Sequence, residues 1–264
     1  MGKVGFIGTG NMGYAMMKGI VDSLKDVELL YTDVNKKRLE EIKSDIGFNY
    51  VNSNGECVEK SKYVILAVKP QYYTQVLDDI KEAITNQHII ISIAPGIKID
   101  DLKNKLGNET KIVRAMPNTP ALVGQGMSAI SFSDDDYAAD QKDMVTSIFK
   151  SFGEVVELPE HLMNAVVAVS GSSPAYVYMF IEAMADAGVL FGLPRDTSYK
   201  LAAGAVLGSA KMVLETGKHP GELKDAVCSP GGTTIEAVSE LEKNGFRSAV
   251  IEAMKSCYNK TMSF

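Results

Sequence analysis

The chain has 264 residues, of which 45% are hydrophobic and 23% are charged, a balance typical of a folded globular protein. Its 27 Lys and Arg against 33 Asp and Glu give a formal net charge of −6, which offers no broad basic field to a nucleic acid. No apolar run is long enough to cross a bilayer, and no signal-peptide pattern opens the chain. Three widely spaced cysteines exclude a disulfide framework. We therefore expect a cytoplasmic protein that binds neither nucleic acid nor membrane.

Short runs rich in Val and Ile alternate with amphipathic stretches over the first part of the chain. Because these runs are apolar on both faces, they are typical of strands covered by helices on two sides. The predicted strands are Lys3–Ile7, Val27–Thr32, Tyr63–Val68, His88–Ile93, Lys111–Met116 and Met127–Phe132. Amphipathic stretches such as Asn11–Leu24 and Asn35–Ile46 predict helices between them. This alternation predicts an α/β fold with an N-terminal Rossmann-type doubly wound sheet.

The pattern changes near Glu154–Leu158, after which strand-like runs disappear. Gly and Pro residues separate five predicted helices, Pro174–Phe191, Arg195–Thr216, His219–Val227, Thr233–Lys243 and Phe246–Thr261. The first two are apolar over most of their circumference, more than a small domain can bury by itself. We expect a dinucleotide-binding domain at 1–158 and an all-α dimerisation and substrate-binding domain at 159–264, in a homodimer or larger homo-oligomer.

A glycine motif follows the first predicted strand and opens the first predicted helix. It reads Ile7, Gly8, Thr9, Gly10, Asn11, Met12 and Gly13. In a βα unit the first glycine permits the tight turn, the second lets the backbone approach a pyrophosphate, and the third allows close packing of helix on strand. The phosphates then lie at the positive end of the helix. Strand, glycines and helix occur in the required order, which indicates a dinucleotide site.

The residues after the second strand bear on the choice of coenzyme. Asp33 follows the last glycine at the distance where an acidic residue binds the ribose diol and favours NAD. Lys36, Lys37 and Arg38 come directly after it and could accept a 2′-phosphate, or they could form an ordinary solvated helix start. The spacing leaves NADH and NADPH both open.

Other polar residues of the first domain give weaker signals. Lys69 ends a predicted strand at the edge where open α/β sheets bind ligands, either as a contact or as a surface lysine. Asn118 ends another predicted strand at what should be the same edge, and the alternative is that it caps a helix that Pro120 begins. The three histidines have no acid or base partner in the pattern, and no metal-ligand spacing occurs. We therefore expect a cofactor to carry the chemistry and no metal to take part.

One segment of the second domain has the features of an anion site. Ser229-Pro230-Gly231-Gly232 cannot continue a helix, and Thr233 and Thr234 are predicted to cap the helix that follows. Backbone N–H groups and two hydroxyls would then point outward at a helix N-terminus. Such a site suits a carboxylate. The alternative, an ordinary loop between helices, would not need so many adjacent small and hydroxyl residues.

Several motifs together resemble those of the pyrroline-5-carboxylate reductase family. Besides the glycine motif they are Ala67–Pro70, Met116–Pro120, Ser170–Tyr176, Gly192–Arg195, His219–Asp225 and Ser229–Thr234. The match extends from Gly2 to about Tyr258, and the last of these motifs is among the most specific. The resemblance implies NAD(P)H-dependent reduction of Δ1-pyrroline-5-carboxylate to L-proline, the last step of proline biosynthesis, by a dimer with interleaved C-terminal domains.

The resemblance also implies the site residues. The pyrophosphate would lie on Ile7 to Gly13, and the substrate between Glu160 and the Thr233–Thr234 pair. The adenosine end would lie near Thr32 and Asn54, beside Asp33, and the nicotinamide side near Ala67, Val68, Lys69, Pro70 and Pro95. The substrate would contact Ser229, Gly231, Gly232, Thr233 and Thr234. Two positions depart from the family pattern, Ser173 where Gly is usual and Pro95 where a smaller residue is common.

Catalysis in this interpretation needs no strong acid, because the imine nitrogen can be protonated in solution before binding. We expect the Thr234 hydroxyl to hydrogen-bond the ring nitrogen and the Thr233 backbone N–H to bind the carboxylate. Together with Glu160, these two are the catalytic candidates.

Two other classes fit parts of the sequence. A β-hydroxyacid dehydrogenase shares the two-domain plan but needs a lysine as general acid on the helix between the domains, and residues 170–187 contain none. A nucleotide-sensing protein without catalysis would keep the glycine motif but has no need of the Ser229–Thr234 anion site. Both explain less of the chain than the reductase does.

Overall fold

The computed structural model describes residues 2–263, and within them seven strands form one sheet in the order β2-β1-β3-β4-β5-β6-β7. The strands are β1 Lys3–Ile7, β2 Glu28–Thr32, β3 Tyr63–Leu66, β4 Ile89–Ser92, β5 Lys111–Met116, β6 Gly126–Phe132 and β7 Gly153–Glu157. The first five are parallel to one another, β6 is antiparallel to β5, and β7 is parallel to β6. The predicted Rossmann-type sheet is confirmed.

Both faces of the sheet are covered by helices. Ile65 of β3 belongs to the core on one face, with Met16 of the first helix, whereas Val64 and Leu66 belong to the core on the other face, with Leu77. Successive side chains of a strand point to opposite faces, so a strand buried on both sides has no polar alternation. The Val- and Ile-rich runs of the sequence have this cause.

The helices of the first part are α1 Asn11–Ser23, α2 Lys36–Ile46, α3 Asn54–Glu59, α4 Tyr73–Ile80, α5 Ile99–Leu106, α6 Ala139–Lys150 and α7 Met163–Val166. Those of the second part are α8 Ser173–Leu190, α9 Arg195–Thr216, α10 Pro220–Ala226, α11 Thr233–Lys243 and α12 Phe246–Thr261. The five helices predicted for the second part agree with these bounds to within about one residue. None of the described helices is long and apolar enough to span a membrane.

Strand β7 has no counterpart among the predicted strands. It lies at the edge of the sheet, and its residues are half-buried or exposed, with Glu154 and Glu157 facing solvent. An edge strand does not need the doubly apolar composition of a buried strand, so the sequence signal is absent. The reversed direction of β6 follows from its connection, because the short segment 117–125 after β5 cannot form a parallel crossover.

Contacts divide the chain into two compact units. The first takes the described residues up to Ser172 and again from Cys257, and the second is Ser173–Ser256. The first unit therefore includes the end of α12. The boundary between the predicted coenzyme-binding and substrate-binding domains at 158/159 stays a prediction.

A π-helical turn, Val167–Gly171, lies just before the chain leaves the first unit for the second. The Ser172 N–H donates to the Val167 carbonyl at 2.8 Å, a spacing of five residues. The Ser170 carbonyl has no N–H four residues ahead, because residue 174 is proline. The Asn118 amide donates to this carbonyl at 3.0 Å, and its oxygen accepts the Met127 N–H at 2.9 Å. Asn118 therefore does not cap the following helix with its side chain; it supports the π-helical turn.

Candidate active site

The glycine motif forms the turn between β1 and α1. Gly8 has a φ of 98°, and a Cβ there would lie 2.7 Å from the Ala67 carbonyl oxygen. A Cβ at Gly13 would lie 2.6 Å from the Gly8 carbonyl oxygen, whereas Gly10 faces open space. Gly8 is therefore required by its positive φ and by its close contact with Ala67, and Gly13 is required by its close contact with Gly8. Gly10 is exposed at the N-cap of α1 without a side-chain cap, so the turn leaves room and free N–H groups for a pyrophosphate.

Asp33 is bound to this turn. One carboxylate oxygen accepts the Thr9 backbone N–H at 2.7 Å and the Thr9 hydroxyl at 2.9 Å, and the other accepts the Asn35 N–H at 2.9 Å. Thr9 is fully buried, so the carboxylate ties the end of β2 to the middle of the glycine turn. The proposed contact of Asp33 with a ribose stays a prediction; the structure gives this residue a role in holding the turn.

Two adjoining cavities follow the turn toward α3 and α4. One, of about 270 Å³, is lined by Gly8, Thr32, Asn54, Val68 and Tyr72, among others. The other, of about 480 Å³, is lined by Thr32, Asp33 and Asn54 together with the exposed Lys36. Thr32, Asp33 and Asn54, which the sequence analysis places at the adenosine end, therefore lie together. The apolar wall and the polar rim fit an adenosine group, and the adjacent turn fits its phosphates.

The carboxyl ends of β3 and β4 carry the other predicted coenzyme residues. Ala67, Val68 and Pro70 after β3 are half-buried and Lys69 is exposed; Pro95 after β4 is half-buried. Because these strands are parallel, their carboxyl ends meet at one edge of the sheet, next to the glycine turn. The fold brings these segments to the edge where such sheets bind ligands.

The Glu160 carboxylate has partners within the first unit. Its Oε1 accepts the Ile99 N–H at 2.7 Å and an Arg114 N–H at 3.3 Å. Arg114 is only 4% exposed, and its other Nη donates to Asn164 at 2.5 Å. A buried guanidinium needs a counter-ion, so Glu160 neutralises Arg114 and completes the N-terminus of α5. A catalytic role for Glu160 stays a prediction.

The predicted anion site lies in the second unit, between α10 and α11. Gly231 has a φ of 66°, which reverses the chain, and Gly232 is the N-cap of α11 without a side-chain cap. Thr233 and Thr234 are the first helical residues rather than caps, so that detail of the sequence analysis is wrong. Both are exposed. The first N–H groups of an 11-residue helix and two hydroxyls thus face outward together.

The histidines have structural partners or lie at helix starts. His88 is buried; its Nε2 lies 3.1 Å from the Val58 carbonyl, and its Nδ1 accepts the Thr85 N–H at 2.9 Å. His219 accepts the Gly221 N–H at the start of α10. Across residues 2–263 no group of His, Cys, Asp and Glu side chains could hold a metal ion.

Family models match both parts of the chain. A model of the pyrroline-5-carboxylate reductase dimerisation domain matches residues 160–263. A model described as NADP oxidoreductase, coenzyme F420-dependent, matches residues 3–96, which include the glycine turn and β1 to β4.

Individual relatives match almost the whole chain. Pyrroline-5-carboxylate reductase of Escherichia coli is 49% identical over 262 residues, 98% of this chain and 97% of the relative, and that of Methanosarcina acetivorans is 42% identical over 96% and 94%. The crystal structure of Plasmodium falciparum pyrroline carboxylate reductase with NADP bound is 36% identical, with a TM-score of 0.90 over 99% of this chain and 97% of that one. By sequence and by fold, this chain belongs to the pyrroline-5-carboxylate reductase family.

Proposed function

We propose that this enzyme holds the carboxylate of Δ1-pyrroline-5-carboxylate at the N-terminus of α11 and its coenzyme on the turn of Gly8 to Gly13. The reaction is that of its family, NAD(P)H-dependent reduction of the substrate to L-proline. When bound, NAD(P)H supplies the two electrons and the hydrogen that reduce the C=N bond. The single observation that carries the proposal is the uncapped N-terminus of α11, with both threonines exposed beside it.

The carboxylate is held by backbone geometry. Gly231 turns the chain with positive φ, Gly232 leads into the helix, and the first-turn N–H groups of α11 point at one place. Anions bind there because the free N–H groups donate and the helix dipole is positive at this end. We assign Ser229, Gly231, Gly232 and Thr233 to this contact.

Thr234 interacts with the reacting end of the substrate. A protonated imine needs no acid from the enzyme, only an acceptor that orients the ring nitrogen and the carbon beside it. The Thr234 hydroxyl is exposed on the first turn of α11, close in sequence to the carboxylate contact. It accepts a hydrogen bond from the iminium N–H and so fixes the ring.

The coenzyme end of the reaction uses the turn of Gly8 to Gly13, the cavity of Thr32, Asp33 and Asn54, and the edge formed by Ala67–Pro70 and Pro95. Asp33 favours NADH by charge, whereas Lys36 on the same cavity favours a 2′-phosphate. We expect both NADPH and NADH to serve. The enzyme acts as a homodimer or larger homo-oligomer in the cytoplasm, in agreement with the matched dimerisation domain.

The substitution Thr234→Val tests the assignment, because it keeps the shape of the side chain and removes the hydroxyl. We expect kcat/KM for pyrroline-5-carboxylate to fall about 10- to 100-fold, or about 1.4–2.8 kcal/mol. Coenzyme affinity should stay within about twofold, since that contact involves other residues. Thr74→Val, on an exposed position of α4, is the matched control. Full kcat/KM in Thr234→Val at saturating NADPH would refute the role of this hydroxyl.

A further inference from the structure

Strands β3 and β4 begin to separate at their carboxyl ends. The last ladder bond, from the Ile93 N–H to the Leu66 carbonyl, is 3.4 Å long, beyond the usual range. The hydroxyl of Tyr73, from the first turn of α4, donates to the same carbonyl at 2.9 Å. It also lies 2.9 Å from the Ser92 hydroxyl, the last residue of β4. Tyr73 and Ser92 are both buried, so the two hydroxyls lie inside the protein at the point where the strands separate.

The protons of this pair are fixed by its partners. A phenol has one proton, and the Leu66 carbonyl can only accept, so the Tyr73 proton is used there and Ser92 donates to the phenol oxygen. Burial raises the pKa of Tyr73, an effect that the hydrogen bond from the Ser92 hydroxyl opposes in part. Tyr73 therefore stays neutral. The ends of β3 and β4 meet at its oxygen.

The two segments that leave this point are those assigned above to the nicotinamide side. Ala67–Pro70 continues from Leu66, and Val68 lines the same cavity as Gly8. Ala94–Gly96 continues from β4. We propose that Tyr73 is a positioning residue whose hydroxyl sets the separation of these two segments and thereby the place of the nicotinamide ring. This inference rests on the proposed function, which places the nicotinamide at these segments.

The reason is one of local geometry. Without the hydroxyl, the Leu66 carbonyl keeps only the long bond from Ile93, and the Ser92 hydroxyl loses its acceptor. A phenylalanine ring fills the same volume, so the core beneath remains packed. The loss falls first on the two segments at the sheet edge. The hydrogen bonds from Thr9 to Asp33 in the glycine turn, and Thr32 and Asn54 in the adenosine cavity, do not involve the Tyr73 hydroxyl. Transfer to the substrate is sensitive to small displacements of the ring.

The test compares Tyr73→Phe with Tyr137→Phe. The Tyr137 hydroxyl also donates to a strand carbonyl, that of Ile112, at 2.9 Å and also lies 2.9 Å from a serine hydroxyl, that of Ser133. It lies at the opposite, amino end of β5, so its loss imitates the lost hydrogen bonds away from the proposed site. Calorimetric titration with NADP⁺ and with 2′-phospho-ADP-ribose, which lacks nicotinamide, separates the two ends of the coenzyme.

In Tyr73→Phe we expect the Kd of NADP⁺ to rise about fivefold and kcat to fall about tenfold. The Kd of 2′-phospho-ADP-ribose should stay within about twofold. In Tyr137→Phe the Kd of NADP⁺, the Kd of 2′-phospho-ADP-ribose and kcat should all stay within about twofold of the unaltered enzyme. Ser92→Ala should change NADP⁺ binding in the same direction as Tyr73→Phe.

Three results would overturn the inference: equal weakening of both ligands by Tyr73→Phe, no change in either ligand together with native kcat, or the same pattern in Tyr137→Phe. None of these three results bears on whether the unaltered enzyme reduces pyrroline-5-carboxylate. Failure of the proposed function would instead appear as no reduction of pyrroline-5-carboxylate by the unaltered enzyme.

Discussion

The two units differ in how much of their structure a single chain completes. In the first unit the sheet is covered on both faces, and the glycine turn is held by Ala67 and Asp33 of the same unit. In the second unit, Ala185 is the only buried residue of the fully described helix α8, and Leu214 of α9 is 82% exposed. Exposed apolar surface of this extent marks an interface. The proposed coenzyme site therefore lies within one chain, whereas we expect the helical unit to bury its apolar surface against a partner chain.

The largest effect is expected when a charge is placed on the apolar face of the second unit, which tests whether that face is an interface. We expect the unaltered enzyme to have at least twice the 28.5 kDa mass of one chain by light scattering. Leu214→Glu buries a carboxylate in the proposed interface, so it should yield monomers and reduce activity by more than about 100-fold. Val123→Glu changes an equally exposed residue of the first unit and should leave the assembly unchanged. A native monomer with full activity would contradict the account.

Two alanine substitutions distinguish the roles of the glycines in the turn between β1 and α1. Gly10→Ala adds a methyl group where this fold has open space, so Tm should not change. The same methyl group blocks a pyrophosphate, so the Kd of NADPH should rise at least about tenfold. Gly13→Ala meets the Gly8 carbonyl and should lower Tm as well. Coenzyme titrations beside thermal melts check both variants; unchanged NADPH affinity in Gly10→Ala would show that the phosphates bind elsewhere.

A third variant sharpens the role of Asp33. Asp33→Ser removes the negative charge that opposes a 2′-phosphate, so the ratio of kcat/KM for NADPH over NADH should rise about 5- to 30-fold, equivalent to about 1–2 kcal/mol. Affinity for both coenzymes should fall somewhat, because the hydrogen bonds to Thr9 are lost. Steady-state kinetics with each coenzyme give the ratio. An unchanged ratio would leave Asp33 with only its structural role.

The smallest effect concerns Asn118. Asn118→Ala leaves the Ser170 carbonyl and the Met127 N–H without their partner, which should cost about 1–3 kcal/mol and lower Tm by a few degrees. Asn104→Ala, at an exposed position of α5, is the control. An equal Tm in both variants would show that the π-helical turn does not depend on Asn118.

Local patterns in the sequence predict much of this fold and the more local part of the candidate site. Buried strands need apolar residues on both faces, and a phosphate turn needs glycines at fixed spacing, so Lys3–Ile7 and the motif after it were recognisable. The edge strand Gly153–Glu157 gives no such signal, because solvent imposes no apolar composition on it. Thr233 and Thr234 were placed at the correct helix start but as caps, a difference of one residue.

The remaining features depend on contacts between distant residues. Tyr73 of α4 meets Ser92 of β4, 19 positions away, and Asn118 meets the Ser170 carbonyl 52 positions away. Neither residue type signals such a partner, since both are as common in ordinary loops and helices. Only the tertiary arrangement of the first unit brings them together.

The central claim is that the N-terminus of α11 binds the substrate carboxylate, and Thr233→Pro tests it most directly. Thr233 is the first helical residue and Gly232 before it is extended, so proline fits there. The substitution removes the N–H group together with the side-chain hydroxyl, and Thr233→Ala, which loses the hydroxyl and keeps the N–H, is the control. The measurement is the ratio of kcat/KM for pyrroline-5-carboxylate over 1-pyrroline, which lacks the carboxylate. We predict that Thr233→Pro lowers this ratio about tenfold, the worth of one hydrogen bond to a charged group. An unchanged ratio, with both substrates affected equally or not at all, would contradict the account.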